Sequence, residues 1–308
     1  MNRILRPGLV LVFLAAFCTD AVAQKTTGVP FDGQRAFTHL QSVCAIGPRI
    51  SGTAGMTKQQ ELLEAHFSSL GAALYWQDFD ATHPQSGLPV RMRNLIVSWN
   101  PQAERRVLVC CHYDTRPRPD REPSAINQEK PFIGANDGGS GVALLMELGT
   151  QLAALKEKPA VDFVFFDGEE LVYRPDDKYF LGSEYFATAY RDRPAGTPEY
   201  RKGVLLDMVA GKNAQFYMET NSLKYAPEVT REVWDVARRL GIREFKPVAK
   251  HEVLDDHIPL NQIGRIPTCD VIDFDYPHWH RRNDLPAACS AATLEKVGRV
   301  IQSWIADQ

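Results

Sequence analysis

The chain has 308 residues, with 35 Lys and Arg against 38 Asp and Glu, and a formal net charge of -3. That modest acidity, with no basic stripe interleaved with aromatics, excludes a nucleic-acid surface, and six cysteines at this length exclude a scaffold held mainly by disulfides. The length supports a substantial core in one domain.

At the start, Arg3 and Arg6 precede the apolar run from Pro7 to Phe17, and Ala21-Val22-Ala23 stands ahead of Gln24. A charged, apolar, then small-residue order predicts a secretory leader over residues 1–23, cleaved after Ala23, and hence an exported protein, periplasmic or secreted. Cys18 competes as a lipid-attachment site, but the bulky Phe17 before it disfavours that reading. The apolar stretch also falls short of the ~20 residues a membrane anchor needs. The folded domain is expected over residues 30–308. Five cysteines follow the leader, so at least one is unpaired within the monomer.

The first helix is predicted from about Met56 to Leu70, followed by strands over Ala73–Phe79 and Asn94–Trp99. Arg106–Cys111 is a third strand, in which Cys110 and Cys111 point to opposite faces and read as small buried hydrophobes. A long polar loop from Asp114 to Ile133 then leads through Gly134-Ala135-Asn136-Asp137-Gly138-Gly139-Ser140-Gly141 into a helix starting near Val142. The apolar strand Val161–Phe166 follows, then a helix from Leu181 to Tyr190, a strand over Lys202–Val209 and a helix from Pro227 to Leu240. His251 to Pro259 reads as a polar loop, Thr268–Phe274 as the last strand, and Ala291 to Trp304 as an amphipathic helix. Strand, helix, strand succession predicts an α/β sheet with parallel centre strands.

Charged residues collect where these strands end. Glu169-Glu170 follows the Val161–Phe166 run and the Asp167-Gly168 turn. Adjacent side chains point apart, so one can hold a metal while the other handles a proton. The residues alone do not say which does which. His112 ends another buried strand and offers a ring nitrogen to a metal, with Asp114 two positions on to orient that ring. Asp137 lies among glycines that permit close backbone approach. Asp207 is a charge inside an apolar strand and needs a partner. In Tyr276-Pro277-His278-Trp279-His280, one histidine is a ligand candidate and the other an ordinary polar side chain, while Trp279 is either a pocket wall or core filling. Asp255-Asp256-His257 is by itself a surface charge run or part of the same cluster. Together the set reads as a metallohydrolase-type site.

In order along the chain, Cys111-His112-Tyr113-Asp114, the Gly134 to Gly141 segment, Phe166-Asp167-Gly168-Glu169-Glu170, Leu206-Asp207-Met208 and Trp279-His280 resemble the zinc-dependent aminopeptidase-like M28 family, which includes the glutaminyl cyclases. The resemblance implies a single-domain, three-layer α/β/α sandwich with a twisted mixed sheet. It also implies that Asp137, Glu170 and His280 hold one zinc and that Glu169 is the general acid/base. His112 and Asp207 match the extra ligands of two-zinc aminopeptidases, residues that single-zinc cyclases also keep, so one zinc is expected with room for a second. Leu254-Asp255-Asp256-His257-Ile258-Pro259-Leu260 resembles the cyclase segment whose second aspartate, here Asp256, joins a hydrogen-bond network beside the site. Trp279-His280 matches the cyclase pairing of pocket tryptophan and zinc histidine. Tyr173 stands where animal cyclases place a second pocket tryptophan, and Cys269 or Asp270 where they place a histidine, which points to the bacterial cyclases.

The implied reaction converts the N-terminal glutamine of a peptide to pyroglutamate with release of ammonia. Its partners are peptides with a free N-terminus, preferably Gln, with no nucleic acid and no stable membrane insertion after leader removal. Glu169, Asp207 and Asp256 are the expected catalytic groups, and His112, Asp137, Glu170 and His280 the expected metal-binding ones. The alternative is an M28-type zinc aminopeptidase in which Glu169 activates a water against the first peptide bond. An exported binding protein that kept the fold without activity is the remaining class.

Overall fold

The computed structural model describes residues 29–308; the leader and Cys18 lie outside the described residues. Its strands are β1 (Ala73–Thr82), β2 (Pro89–Trp99), β3 (Arg105–His112), β4 (Val161–Phe166), β5 (Glu199–Asp207), β6 (Phe216–Met218), β7 (Phe245–Ala249) and β8 (Thr268–Ile272). Six of them form one mixed sheet in the order β1-β2-β4-β3-β5-β8, while β6 and β7 make a small separate pair. β3, β4, β5 and β8 run parallel, and β2 and β1 close one side antiparallel. The helices are α1 (Gly33–Ala45), α2 (Ala54–Ser69), α3 (Ala125–Gln128), α4 (Gly139–Ala153), α5 (Leu181–Arg191), α6 (Thr220–Tyr225), α7 (Pro227–Arg239), α8 (His257–Gln262) and α9 (Ala291–Ala306).

The two-residue period of a strand sorts the core into its layers. Val107, Val109 and Cys111 of β3, with Phe163 and Phe165 of β4, pack into the core under α1, α2, α4, α7 and α9. Leu108 and Cys110, with Val164 and Phe166, face α5 and α8. Central strands buried on both faces must be apolar throughout, and this is why Val107–Cys111 and Val161–Phe166 read as continuous runs. Each large side chain buried there contributes about 1.5–3 kcal/mol. The one charge in β4, Asp162, is matched by Arg106, whose Nη2 lies 2.7 Å from its Oδ1. The five cysteines of the described residues are all unpaired and buried, and burial raises the Cys110 and Cys111 thiols well above their ordinary pKa.

Three differences from the sequence expectations stand out. Helix α1 was not anticipated; its buried stripe is narrow, with Ala36, Leu40, Val43 and Cys44, and its Asp32 cap accepts the N–H groups of Gln34 and Arg35 at 2.9 Å. The short α3 interrupts the expected Asp114 to Ile133 loop. The expected polar loop from His251 to Pro259 instead carries the start of α8, and Asp255, Asp256 and His257 are buried. Among the described residues no helix is long and apolar enough to cross a membrane.

Candidate metal centre

Four parallel strands end on one side of the sheet, and the candidate residues gather at or beyond those ends, where loops rather than ladders set side-chain direction. His112 is the last residue of β3, Asp207 the last of β5, Glu169 and Glu170 follow β4, Asp137 precedes α4, and His280 lies in the loop after β8. Three sets bring ligand atoms within 4.8 Å of one another: Asp137, Glu170 and His280; His112, Asp137 and Asp207; and His112, Glu169 and Glu170. His280 Nε2 is 2.9 Å from Glu170 Oε1 and 3.6 Å from Asp137 Oδ2. His112 Nε2 is 3.2 Å from Asp207 Oδ1 and 3.3 Å from Asp137 Oδ1. Asp137 thus stands between the two histidines.

The donor set suits a zinc ion. Imidazole nitrogen and carboxylate oxygen are its ordinary ligands, and Asp137 Oδ2 is buried with no hydrogen-bond partner. Burial, then the charge of Glu170, push Asp137 up to about 7, so without a cation this carboxyl holds a proton readily. The neighbouring glutamates, equivalent by sequence, are separated by their surroundings. Burial works against the charge on Glu170, but His280 and Arg116 outweigh it and hold the carboxyl at about 2. Burial and the adjacent Glu170 charge raise Glu169 well above the usual carboxylate range. Two carboxylates driven apart in this way can serve as an anionic ligand and a proton carrier.

Arg116 was missed in the sequence. Its backbone N–H donates to Glu170 Oε2 at 3.1 Å and its Nη1 to Oε1 at 3.3 Å, so Glu170 is oriented before any metal arrives. Asp120, also missed, lies 3.1 Å from His280 Nδ1 and leaves Nε2 to face the ligands. In the sequence both stand only as charged residues of the polar loop that follows the end of β3. Asp284 accepts the N–H groups of Asn136 and Asp137 at 2.8 and 3.1 Å and fixes that turn from 147 residues away. Asp114 does not orient His112 as expected. Its Oδ1 is 3.6 Å from the ring, too far for a hydrogen bond, and its two oxygens instead accept the N–H groups of Glu169 and Glu170 at 3.1 and 3.0 Å. Two aligned backbone donors satisfy a carboxyl group better than one distant ring nitrogen does.

Backbone shape is part of the site. Gly138 has φ +77°, and a Cβ there would come within 2.6 Å of the Asp114 carbonyl oxygen and 3.0 Å of His112 Cε1. His280 itself has φ +53°, an uncommon conformation for a residue with a side chain. His278 belongs to none of the ligand sets and packs edge-on to Tyr276. The Trp279 ring packs between Phe274 and His280, with Arg121 stacked 3.7 Å from its centroid.

Behind the metal-facing groups lies a second acidic layer. Asp256 accepts a 2.5 Å hydrogen bond from Ser183 Oγ, and burial raises the carboxyl to about 7. Asp255 is raised well above its ordinary value by burial, then by Asp207 and Asp256. Asp270 of β8, buried with both oxygens unpartnered, belongs to the same cluster.

Glu219 anchors this layer. Its carboxylate accepts the N–H groups of Asn221, Ser222 and Val253 at 2.7, 2.6 and 3.0 Å, and His257 Nε2 approaches to 3.3 Å without hydrogen-bond geometry. Burial raises this carboxyl, but His257 and the backbone donors more than offset it and leave it near 2. Since the folded value lies below the ordinary 4.5, the stabilisation is complete above that ordinary value and is lost as pH falls towards 2. Glu219→Ala is therefore expected to lower unfolding free energy by about 3 kcal/mol at pH 7. In urea titrations the gap between variant and native protein should shrink below pH 4.5; a pH-independent gap would contradict an ionised anchor.

Comparison with known proteins agrees with this geometry. A crystal structure of Fimbriiglobus ruber glutaminyl cyclase is 45% identical with a TM-score of 0.87, over 91% of this chain and 97% of that one. A leucine aminopeptidase precursor from Bacteroides thetaiotaomicron is 29% identical with a TM-score of 0.85, over 91% and 98%. A glutaminyl-peptide cyclotransferase-like protein of Bos taurus is 26% identical over 84% of this chain and 72% of its own length. The model of peptidase family M28 matches residues 94–305, and the chain belongs to that family.

Proposed function

We infer that this chain is a zinc-dependent glutaminyl-peptide cyclotransferase, which converts the N-terminal glutamine of a peptide to pyroglutamate and releases ammonia. One observation carries the reading: the Asp137, Glu170 and His280 ligand set has Glu169, a carboxyl of raised proton affinity, beside it, in a chain 45% identical to a glutaminyl cyclase. Asp137, Glu170 and His280 would hold the zinc ion, which would supply Lewis-acid polarisation of the side-chain amide carbonyl. Glu169, whose side chain keeps 12% exposure, takes a proton from the substrate α-amine and returns one to the departing nitrogen. Asp207 and Asp256 hold the amine and the proton network around it, and Trp279 walls the small side chain. His112 bridges Asp137 and Asp207 and keeps both turned inward. In the same reading, residues 1–23 direct export and are removed, 30–308 form the catalytic domain, and the substrates are peptides with a free N-terminal glutamine.

The His112, Asp137 and Asp207 set supports a second reading, a two-zinc aminopeptidase. Short peptides beginning with Gln and with Leu, incubated with zinc-loaded protein and weighed by mass spectrometry, separate the two. The cyclase removes one ammonia from the Gln peptide and leaves the Leu peptide whole. Release of the first residue from either peptide would identify an aminopeptidase instead.

A further inference from the structure

We propose that the enzyme's own amino terminus is one of its substrates, and that Gln24, uncovered by removal of residues 1–23, is cyclised by a second molecule of the same chain. The inference rests on the cyclase reading and on cleavage after Ala23. Ala21-Val22-Ala23 places the scissile bond immediately before Gln24. Glutamine is the residue whose side-chain amide the proposed reaction consumes, so processing creates the required group on the enzyme itself.

The fold decides between reaction within one molecule and reaction between two. Gln24 lies outside the described residues, but Val29 is described, is 52% exposed, and accepts a 3.0 Å hydrogen bond from Gln302 Nε2 near the end of α9. Gln302 borders the same cavity as Arg105, Ala160 and Arg201. These residues mark where β3, β4 and β5 begin, whereas the site lies where they end. The eight residues of β3 span roughly 25 Å at about 3.3 Å each. The five steps from Val29 back to Gln24 cover at most ~18 Å even fully extended, and the helical layer adds to the path. A chain therefore does not reach its own site, and the modification occurs between molecules. Glu169 keeps enough exposure to meet a substrate arriving from solvent.

The step is balanced without oxidant or reductant. The Gln24 α-nitrogen bonds to its own Cδ, the Cδ–Nε2 bond breaks, and Nε2 leaves as ammonia with the proton that Glu169 takes from the α-amine. The product terminus has lost its ammonium charge.

The test is intact-mass and N-terminal peptide analysis of full-length protein expressed and exported in a host without a glutaminyl cyclase, with Glu169→Gln in parallel. The native chain should begin at residue 24, be one ammonia lighter than its sequence requires, and resist stepwise N-terminal degradation. The E169Q chain should carry an unmodified Gln24, and a trace of native enzyme should convert it at a rate proportional to the amount added. Gln24→Leu should leave an open terminus and unchanged activity on Gln peptides. If the native enzyme cyclises a Gln peptide while its own Gln24 stays unmodified, the proposal falls and the cyclase reading stands. A terminus elsewhere than residue 24, or equal blockage in E169Q alone, also overturns it. Failure on the Gln peptide removes the cyclase reading and this proposal with it.

Discussion

Glu169→Gln should lower kcat on Gln peptides by roughly 10²–10⁴, the range that a positioned acid/base group contributes, while leaving the zinc content unchanged. The substitution keeps the side chain's shape and removes its capacity to carry a proton. Asp137, Glu170 and His280, the proposed zinc ligands, are untouched, and the carbonyl of Glu169 still accepts the Phe180 N–H at 3.2 Å. Relief of the charge repulsion between Glu169 and Glu170 should leave thermal stability equal or slightly higher, so lost activity is separable from misfolding. Steady-state kinetics with metal analysis on the same sample checks this. Activity within a few-fold of native would remove Glu169 from the proton path.

The second large effect concerns the metal. Asp137→Ala, Glu170→Ala and His280→Ala should each take the protein below one bound zinc and abolish activity, whereas His112→Ala should keep one zinc. The difference lies in what each side chain faces. Glu170 and His280 are already turned together at 2.9 Å, with Arg116 and Asp120 locking their outer atoms. His112 Nε2 instead faces Asp137 and Asp207, outside the Asp137, Glu170 and His280 set. Removing His280 also leaves Asp137 and Glu170 buried without their shared cationic partner. In metal-free protein that should cost about 3–5 kcal/mol, the scale for breaking a buried pair. Metal analysis after gel filtration, with denaturant unfolding of the metal-free form, reads both numbers. A native enzyme with two zinc ions, one of them lost in His112→Ala, would favour the two-metal aminopeptidase.

The sequence by itself determined much of the architecture, because strand burial writes itself into local pattern. Val107–Cys111 and Val161–Phe166 are apolar throughout since both faces of a central strand are covered. His112, Glu169 and Glu170 were legible as polar groups placed where such runs stop, Asp207 as a charge inside one, Asp137 by its glycine-rich turn and His280 by the Tyr276–His280 segment. Helix α1 escaped notice because its buried stripe is narrow and contains small residues. The burial of Asp255 and Asp256 escaped because a run of three polar residues looks like solvated surface until α8 and β8 are packed beside it.

Only the tertiary structure set the two glutamates apart. Adjacent in sequence, Glu169 and Glu170 are chemically identical; His280 and Arg116, brought from 110 residues downstream and 54 upstream, hold one carboxyl ionised and leave the other in a desolvated pocket that favours its proton. The same is true of Asp114, whose partner proved to be the backbone of the Glu169-Glu170 turn and not the His112 ring. Local pattern records burial because burial acts on every residue of a strand. Charge pairing is set by groups that meet only after the sheet has formed, and this is why the electrostatic difference between the two carboxyls appears only in three dimensions.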